Sequence, residues 1–140
     1  MARSRVAMDL EIPSDVKYIE GVIELATQKC RELRIPAPKC SLNVRVALAE
    51  ALSNAILRGN NEKPGKHVRV RATVSADKLV FDIVDEGSGF DLAEERPDPT
   101  APENLMNEDG RGLFLMHQLM DQVEQFRENG NVIRLTLNRE

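Results

Sequence analysis

A carboxylate and an amide four residues apart, Glu50 and Asn54, are the first side chains in this 140-residue chain whose types and spacing could do chemistry. The apolar residues around them recur at intervals of three and four, which predicts a helix over about residues 41–58. Residues four apart lie one turn from each other on the same face of a helix. The two side chains could therefore contact one ligand, although polar residues on a solvated helix face show the same pattern.

Asp85 is a more informative candidate, because it continues the apolar side of a predicted strand. The residues at intervals of two before it are Leu79, Phe81 and Ile83. Its carboxylate should point toward the same buried side, and a buried carboxylate is costly unless it has a partner. That partner could be a donor within the protein or an amino group of a ligand, such as the exocyclic amine of adenine. Gly87 and Gly89 follow and leave room for a ligand to approach the backbone.

Gly110 and Gly112 flank Arg111 at the predicted start of a third helix, over about residues 113–121. Backbone N–H groups at a helix N-terminus bind anions, so this position favours phosphate, with a plain glycine hinge as the alternative. The stretch before it, residues 91–109, holds seven acidic residues, one arginine and three prolines. A loop of this length within a compact domain is usually functional or disordered.

Alternating or periodic apolar residues also predict the elements that position these groups. We expect a strand at 4–12, a helix from Ser14 to about Arg31, strands at 68–74 and 79–84, and a hairpin of 123–126 with 132–137 around Asn129-Gly130. Most of these strands have one apolar and one polar face. The sequence therefore predicts an α/β chain of the α+β kind, a single domain over 1–140. Its form is a two-layer sandwich with a mainly antiparallel mixed sheet and three helices on one face.

Composition excludes several classes of function. The formal net charge of −4 and the pI of about 5.3 argue against direct nucleic-acid binding. No apolar run approaches the roughly 20 residues of a membrane span, and acidic residues follow the first five residues where a secretory signal would be apolar. Cys30 and Cys40 form no C-x-x-C motif, which is typical of a reducing cytoplasm without disulfides or structural zinc.

Taken in order, Glu50-x-x-x-Asn54, Asp85-x-Gly87-x-Gly89 and Gly110-x-Gly112 resemble the N, G1 and G2 boxes of the GHKL ATPases. That superfamily includes gyrase, Hsp90, histidine kinases and MutL, and the resemblance implies the Bergerat ATP-binding fold. The length of the chain and the sequences of residues 50–56 and 110–116 are similar to those of the anti-sigma factor serine/threonine kinases. Those bacterial proteins use ATP and Mg²⁺. They bind a sigma factor or phosphorylate a STAS-domain anti-sigma antagonist, and they often form homodimers.

The resemblance implies a role for each matching residue. Glu50 would be the general base, Asn54 the Mg²⁺ ligand and Asp85 the residue that binds the adenine amine. Residues 91–109 would form the ATP lid. The other nucleotide-binding residues would be Arg58, Gly87, Gly89, Gly110, Arg111, Gly112 and Leu113.

The chain departs from the family pattern at two positions, and these keep alternatives open. Glu108 stands where well-known kinases of the family carry an arginine, and Arg58-Gly59 replaces the frequent His-Gly. The first alternative to a kinase is a catalytically weak ATP-binding module that acts by sequestering a partner. The second is an interaction domain that binds no nucleotide and whose glycine loops are plain turns.

Overall fold

The computed structural model describes residues 4–61, 63, 65–87 and 108–140, with only the backbone described at 108–113. Strands and helices follow in the order that the sequence predicts. They are β1 (Arg5–Pro13), α1 (Ile19–Glu32), α2 (Arg45–Asn54), β2 (His67–Val74), β3 (Lys78–Asp85), α3 (Glu108–Leu119), β4 (Gln122–Arg127) and β5 (Asn131–Asn138). A short 3₁₀ turn, Val16–Tyr18, precedes α1, and wide π-helical turns at Lys39–Val44 and Ala55–Gly59 extend α2 at both ends.

The described strands form one sheet in the order β1-β2-β3-β5-β4, and each of these neighbouring pairs is antiparallel. β3 lies at the centre, between β2 and β5. Every second residue of β2 and β3 is buried, and these residues join the helices in one core. The predicted sandwich of one sheet under helices is therefore confirmed.

The opposite face of the sheet is polar and carries ion pairs between strands. Arg69 of β2 contacts Asp9 of β1 through two hydrogen bonds of 2.9 and 2.8 Å. Arg134 of β5 contacts Asp82 of β3 in the same way, at 2.7 and 3.0 Å. The strands thus have one apolar and one polar side, as their alternating sequence predicts.

Two helix starts differ from the prediction. Asp15, rather than Ser14, caps the first turn before α1, because its carboxylate accepts a hydrogen bond from the backbone N–H of Lys17 at 3.0 Å. α3 begins at Glu108, five residues earlier than predicted. Because glycine is unfavourable inside helices, we expected Gly110 and Gly112 to precede the helix. Acidic residue types such as Glu and Asp are nevertheless favoured in a first helical turn.

Apolar residues at intervals of three and four predict one buried stripe on each of the first two helices, from Val16 and from Leu42 onward, and both predictions are wrong at these first residues. Val16 is 45% exposed and Leu42 is 52% exposed, whereas Ile23, Ala26 and Leu52 are buried as expected. Both exposed residues lie in the irregular turns that precede α1 and α2, where the 3.6-residue period no longer applies. Within the described residues, no helix is both long and apolar enough to cross a lipid bilayer.

Candidate functional site

Asp85 ends β3 with its carboxylate inside the layer between sheet and helices. It is 1% exposed, as its place on the apolar side of the strand predicts. Two neutral groups donate hydrogen bonds to it. The backbone N–H of Gly87 donates to Oδ1 at 2.9 Å, and the side-chain amide of Asn131, its partner on β5, donates to Oδ2 at 3.2 Å. Asn131 in turn accepts a hydrogen bond from Gln125 of β4 at 3.2 Å.

This carboxylate retains the capacity to bind a ligand. An ionised carboxylate has about four acceptor positions, and these two donors occupy two of them. Burial raises the pKa of Asp85, while the N–H of Gly87, the amide of Asn131 and the charge of Arg127 oppose that rise. A ligand that donates a hydrogen bond here would favour the charged form. The site is therefore suited to an amino group.

Two glycines make the close contact between this carboxylate and the end of the second helix. A Cβ placed on Gly59 would overlap the carboxylate of Asp85, and one placed on Gly87 would overlap the carbonyl oxygen of Gly59. No side chain can be accommodated at either position without movement of the neighbouring backbone or the carboxylate. Gly59 is the last residue of the π-helical turn that follows α2. The wide turn thus brings the end of the helix against the end of β3.

Glu50 and Asn54 lie on α2, one turn apart on one face, as their spacing predicts. Asn54 is 8% exposed, and Glu50 and Arg58 are partly exposed. Asn54 is the residue at which regular α-helical bonding gives way to the wide turn, and such π-helical segments occur often at functional sites. Gly59, the glycine that contacts Asp85, is the fifth residue after Asn54. The structure therefore brings the predicted helix pair and the predicted carboxylate to the same end of α2.

The structure describes the predicted phosphate-binding residues at the start of α3 only by their backbone. The backbone N–H groups of Gly110 and Arg111 belong to the first four of α3, which have no acceptor within the helix, and Gly112 lies one residue beyond them. Leu113 is also within this helix. Gly89 and residues 91–107 of the predicted lid lie outside the described residues.

The donor types at this site suit a hard cation. The side-chain oxygens of Asn54 and Glu50 are the kind of ligand that Mg²⁺ takes, usually one or two from the protein, with phosphate oxygens and waters completing the shell. Across the part of the chain that the structure describes, no three His, Cys, Asp or Glu side chains form a metal cluster.

Three residues that sequence reasoning missed shape the site: Gly59, Asn60 and Asn131. Asn60 is 1% exposed and holds the backbone next to Asp85, since its side-chain oxygen accepts from the N–H of Glu86 at 2.8 Å. One signal was available for Asn131. Asparagine is disfavoured in strands, and here it is the first residue of one.

Comparison with known proteins gives consistent results. Residues 12–137 match the family described as the histidine kinase-like ATPase domain. A serine-protein kinase RsbW of Bacillus pumilus is 30% identical over 95% of this chain and 87% of its own length. The corresponding protein of Bacillus velezensis is 26% identical over 97% of this chain and 88% of its own length. An anti-sigma F factor of a Thermoanaerobacter species is 30% identical over 67% of both chains.

The family match covers most of the chain, and the relatives align along most of their lengths. The open antiparallel sheet under helices agrees with the fold that the sequence motifs imply. The chain belongs to the histidine kinase-like ATPase domain family, and within it is homologous to serine-protein kinases RsbW and anti-sigma F factors.

Proposed function

We propose that this protein is an ATP- and Mg²⁺-dependent serine/threonine protein kinase of the anti-sigma factor type. Its substrate would be a STAS-domain anti-sigma antagonist, and a sigma factor would be its second partner, so that it regulates transcription in the cytoplasm. One observation carries the proposal. A buried carboxylate that accepts two hydrogen bonds from the described residues, Asp85, lies against the end of the helix that bears Glu50 and Asn54.

Adenine recognition follows from the chemistry of Asp85. Among the described residues, its two donors are a backbone N–H and a side-chain amide, and these fill only part of the acceptor capacity of a carboxylate. The exocyclic amine of adenine would add a donor, and hydrogen bonds to charged groups contribute more than neutral ones. Gly59 lies against the carboxylate without a side chain, since a Cβ there would overlap it. Guanine presents a carbonyl oxygen at the same place and would be repelled.

Phosphate binding would use α2 and the first turn of α3. The amide oxygen of Asn54 would hold Mg²⁺, and the N–H groups of Gly110 and Arg111, in the first turn of α3, would bind phosphate oxygens. When bound, Mg²⁺ would neutralise the charge that phosphoryl transfer develops on those oxygens. Arg58, in the wide turn after Asn54, would add a positive charge on the same side.

Glu50 would act as the general base. Its carboxylate accepts the proton of the acceptor hydroxyl while that oxygen bonds to the γ-phosphorus and the bond to the β,γ-bridging oxygen breaks, which releases ADP. The partial exposure of Glu50 would let a hydroxyl on a partner protein reach it. Phosphoryl transfer depends mainly on positioning and charge neutralisation, so one base and one cation are sufficient.

The test separates binding from transfer. The purified protein should bind ATP with Mg²⁺ in calorimetry and transfer the γ-phosphate to a serine or threonine of a STAS-domain protein. Replacement of Glu50 by glutamine should preserve ATP binding and lower the transfer rate by at least about a hundredfold, the usual contribution of a general base. The matched control is Glu32→Gln, an exposed carboxylate at the C-terminal end of α1, which should change neither property.

A second function is favoured by one feature, the acidic residue at the first position of α3. Glu108 occupies the place where kinases of this type carry an arginine, and a carboxylate there repels phosphate unless it points away. ATP binding without measurable transfer by the unmodified protein would identify a regulatory module that sequesters its partner. Absence of ATP binding would reject both functions.

A further inference from the structure

Asn60 makes more hydrogen bonds than the end of a helix requires. Its backbone N–H closes the wide turn by donating to the carbonyl of Ala55 at 2.9 Å. Its side-chain oxygen accepts from the N–H of Glu86 at 2.8 Å, and its side-chain nitrogen donates to the carbonyl of His67 at 2.9 Å and to the hydroxyl of Ser14 at 3.2 Å. With 1% exposure, this side chain joins the ends of β1, α2, β2 and β3.

Two of these partners, His67 and Glu86, lie where β2 and β3 would continue to pair. The pairing of β2 with β3 ends at Val68 and Asp85, so His67 and Glu86 are the residues that would pair next. The amide of Asn60 bonds to the carbonyl of one and the N–H of the other, and thereby stands between them. An amide side chain can do this because it carries a donor and an acceptor side by side, as a peptide group does.

The backbone therefore leaves the sheet directly after Asp85. Gly87 can then turn its N–H back to Oδ1 of Asp85 at 2.9 Å, an Asx-type bond between residues two apart. Gly87 also lies against the carbonyl of Gly59. If β2 and β3 continued to pair, Glu86 and Gly87 would follow the sheet and this bond would be lost.

We propose that Asn60 is a positioning residue for base recognition. It separates β2 from β3 after Asp85 and fixes the Asp85–Gly87 turn, and so determines which acceptor positions of the carboxylate face the nucleotide. This inference rests on the proposed role of Asp85 in adenine binding. It extends that role to a side chain that needs no contact with the nucleotide.

The experiment compares ATP with inosine triphosphate, which carries an oxygen in place of the adenine amine, by calorimetry on three variants. Asn60→Leu keeps the branched shape and the number of side-chain heavy atoms and removes both hydrogen-bonding groups, so that the carbonyl of His67 and the N–H of Glu86 no longer have the amide between them. Asn60→Ala removes the side chain, and Ser14→Ala is the control that removes only the 3.2 Å bond. Partial unfolding weakens the apparent affinity for both nucleotides by the same factor, so the ratio of the two affinities stays valid in a partly unfolded variant.

The unmodified protein should prefer ATP about ten- to a hundredfold, the worth of one hydrogen bond to a charged acceptor. Asn60→Leu and Asn60→Ala should reduce that preference to about threefold or less, while Ser14→Ala keeps it, since a misdirected carboxylate no longer discriminates the amine. A residue that only stabilised the fold would lower the folded fraction and leave the preference intact, and that result in Asn60→Leu overturns the inference. Equal affinity of the unmodified protein for both nucleotides would instead refute the adenine role of Asp85, and the inference with it.

Discussion

Replacement of Gly59 by alanine tests the central contact of the site. The added methyl group would overlap three atoms of the Asp85 side chain, Oδ2, Cγ and Oδ1. The carboxylate has little space to withdraw, because it is buried and already bonded to Gly87 and Asn131. We expect the side chain to shift and to lose at least one of these two hydrogen bonds.

The expected loss of stability follows from three contributions. Overpacking of a closed interior costs about 1–3 kcal/mol. Loss of one hydrogen bond to a charged group costs about 1.5–3 kcal/mol, part of which relaxation recovers. Alanine in place of glycine in a helical turn returns about 0.5–1 kcal/mol. Gly59→Ala should therefore lower the free energy of unfolding by about 2–4 kcal/mol, a large part of the total for a domain of this size.

The matched control is Gly21→Ala on α1, where an added Cβ meets no atom within 4 Å. That variant should be more stable than the unmodified protein by about 0.5–1 kcal/mol, because only the helix-propensity contribution remains. Urea unfolding followed by circular dichroism measures both, with equal m-values as the check that the denatured state is unchanged. If Gly59→Ala is as stable as Gly21→Ala, the contact between the helix end and Asp85 is not as close as described.

The remaining predictions concern ionisable groups. Since burial raises the pKa of Asp85 above its ordinary value, the native state holds its proton to higher pH than the unfolded chain, and stability should fall as pH rises through the window just above about pH 4. Urea unfolding across about pH 4–6 measures this fall in the free energy of unfolding, and the part that Asp85 contributes should be absent in Asp85→Asn. It should persist in Asp82→Asn, a control on the same strand whose carboxylate faces the opposite side of the sheet. The thiols of Cys30 and Cys40 are fully buried, and burial and the Cys40 thiol raise the pKa of Cys30. Ellman's reagent should therefore modify neither thiol until the protein is unfolded, and rapid labelling of the native protein would contradict their burial.

The strands of the sheet were predicted closely from the sequence, because the alternation of apolar and polar residues is a local pattern. The alternation around β3 predicts residues 79–84, and the strand is Lys78–Asp85. Asn129 and Gly130 both have positive φ, as the tight turn between β4 and β5 requires. The burial of Asp85 followed from the same alternation. Where the prediction was wrong, as at the start of α3, glycines with low helix propensity are nevertheless incorporated in a helix.

The contacts of Asp85 could not be predicted in this way, since they join residues far apart in the chain. Gly59 follows a helix, the usual place for a glycine that only ends the helix, so its type did not reveal the contact with the carboxylate. Asn131 faces Asp85 because β5 pairs with β3 rather than only with its hairpin neighbour β4. A strand order in which non-consecutive strands are neighbours is a property of the whole sheet, and no local pattern encodes it.

Because the described donors at Asp85 are neutral, the stability of the protein should depend on whether a ligand is bound there. The two donors described there, a backbone N–H and an amide, reduce the cost of the buried charge without neutralising it, as an ion pair would. The unliganded protein therefore carries an electrostatic cost that a ligand amine would partly relieve. If Asp85 binds adenine, a saturating nucleotide at about 100 times its dissociation constant should raise the free energy of unfolding by about 2.7 kcal/mol. Inosine triphosphate at the same concentration should raise it less. Equal stabilisation by both nucleotides would show that the phosphates are bound while the carboxylate plays no part in recognising the base.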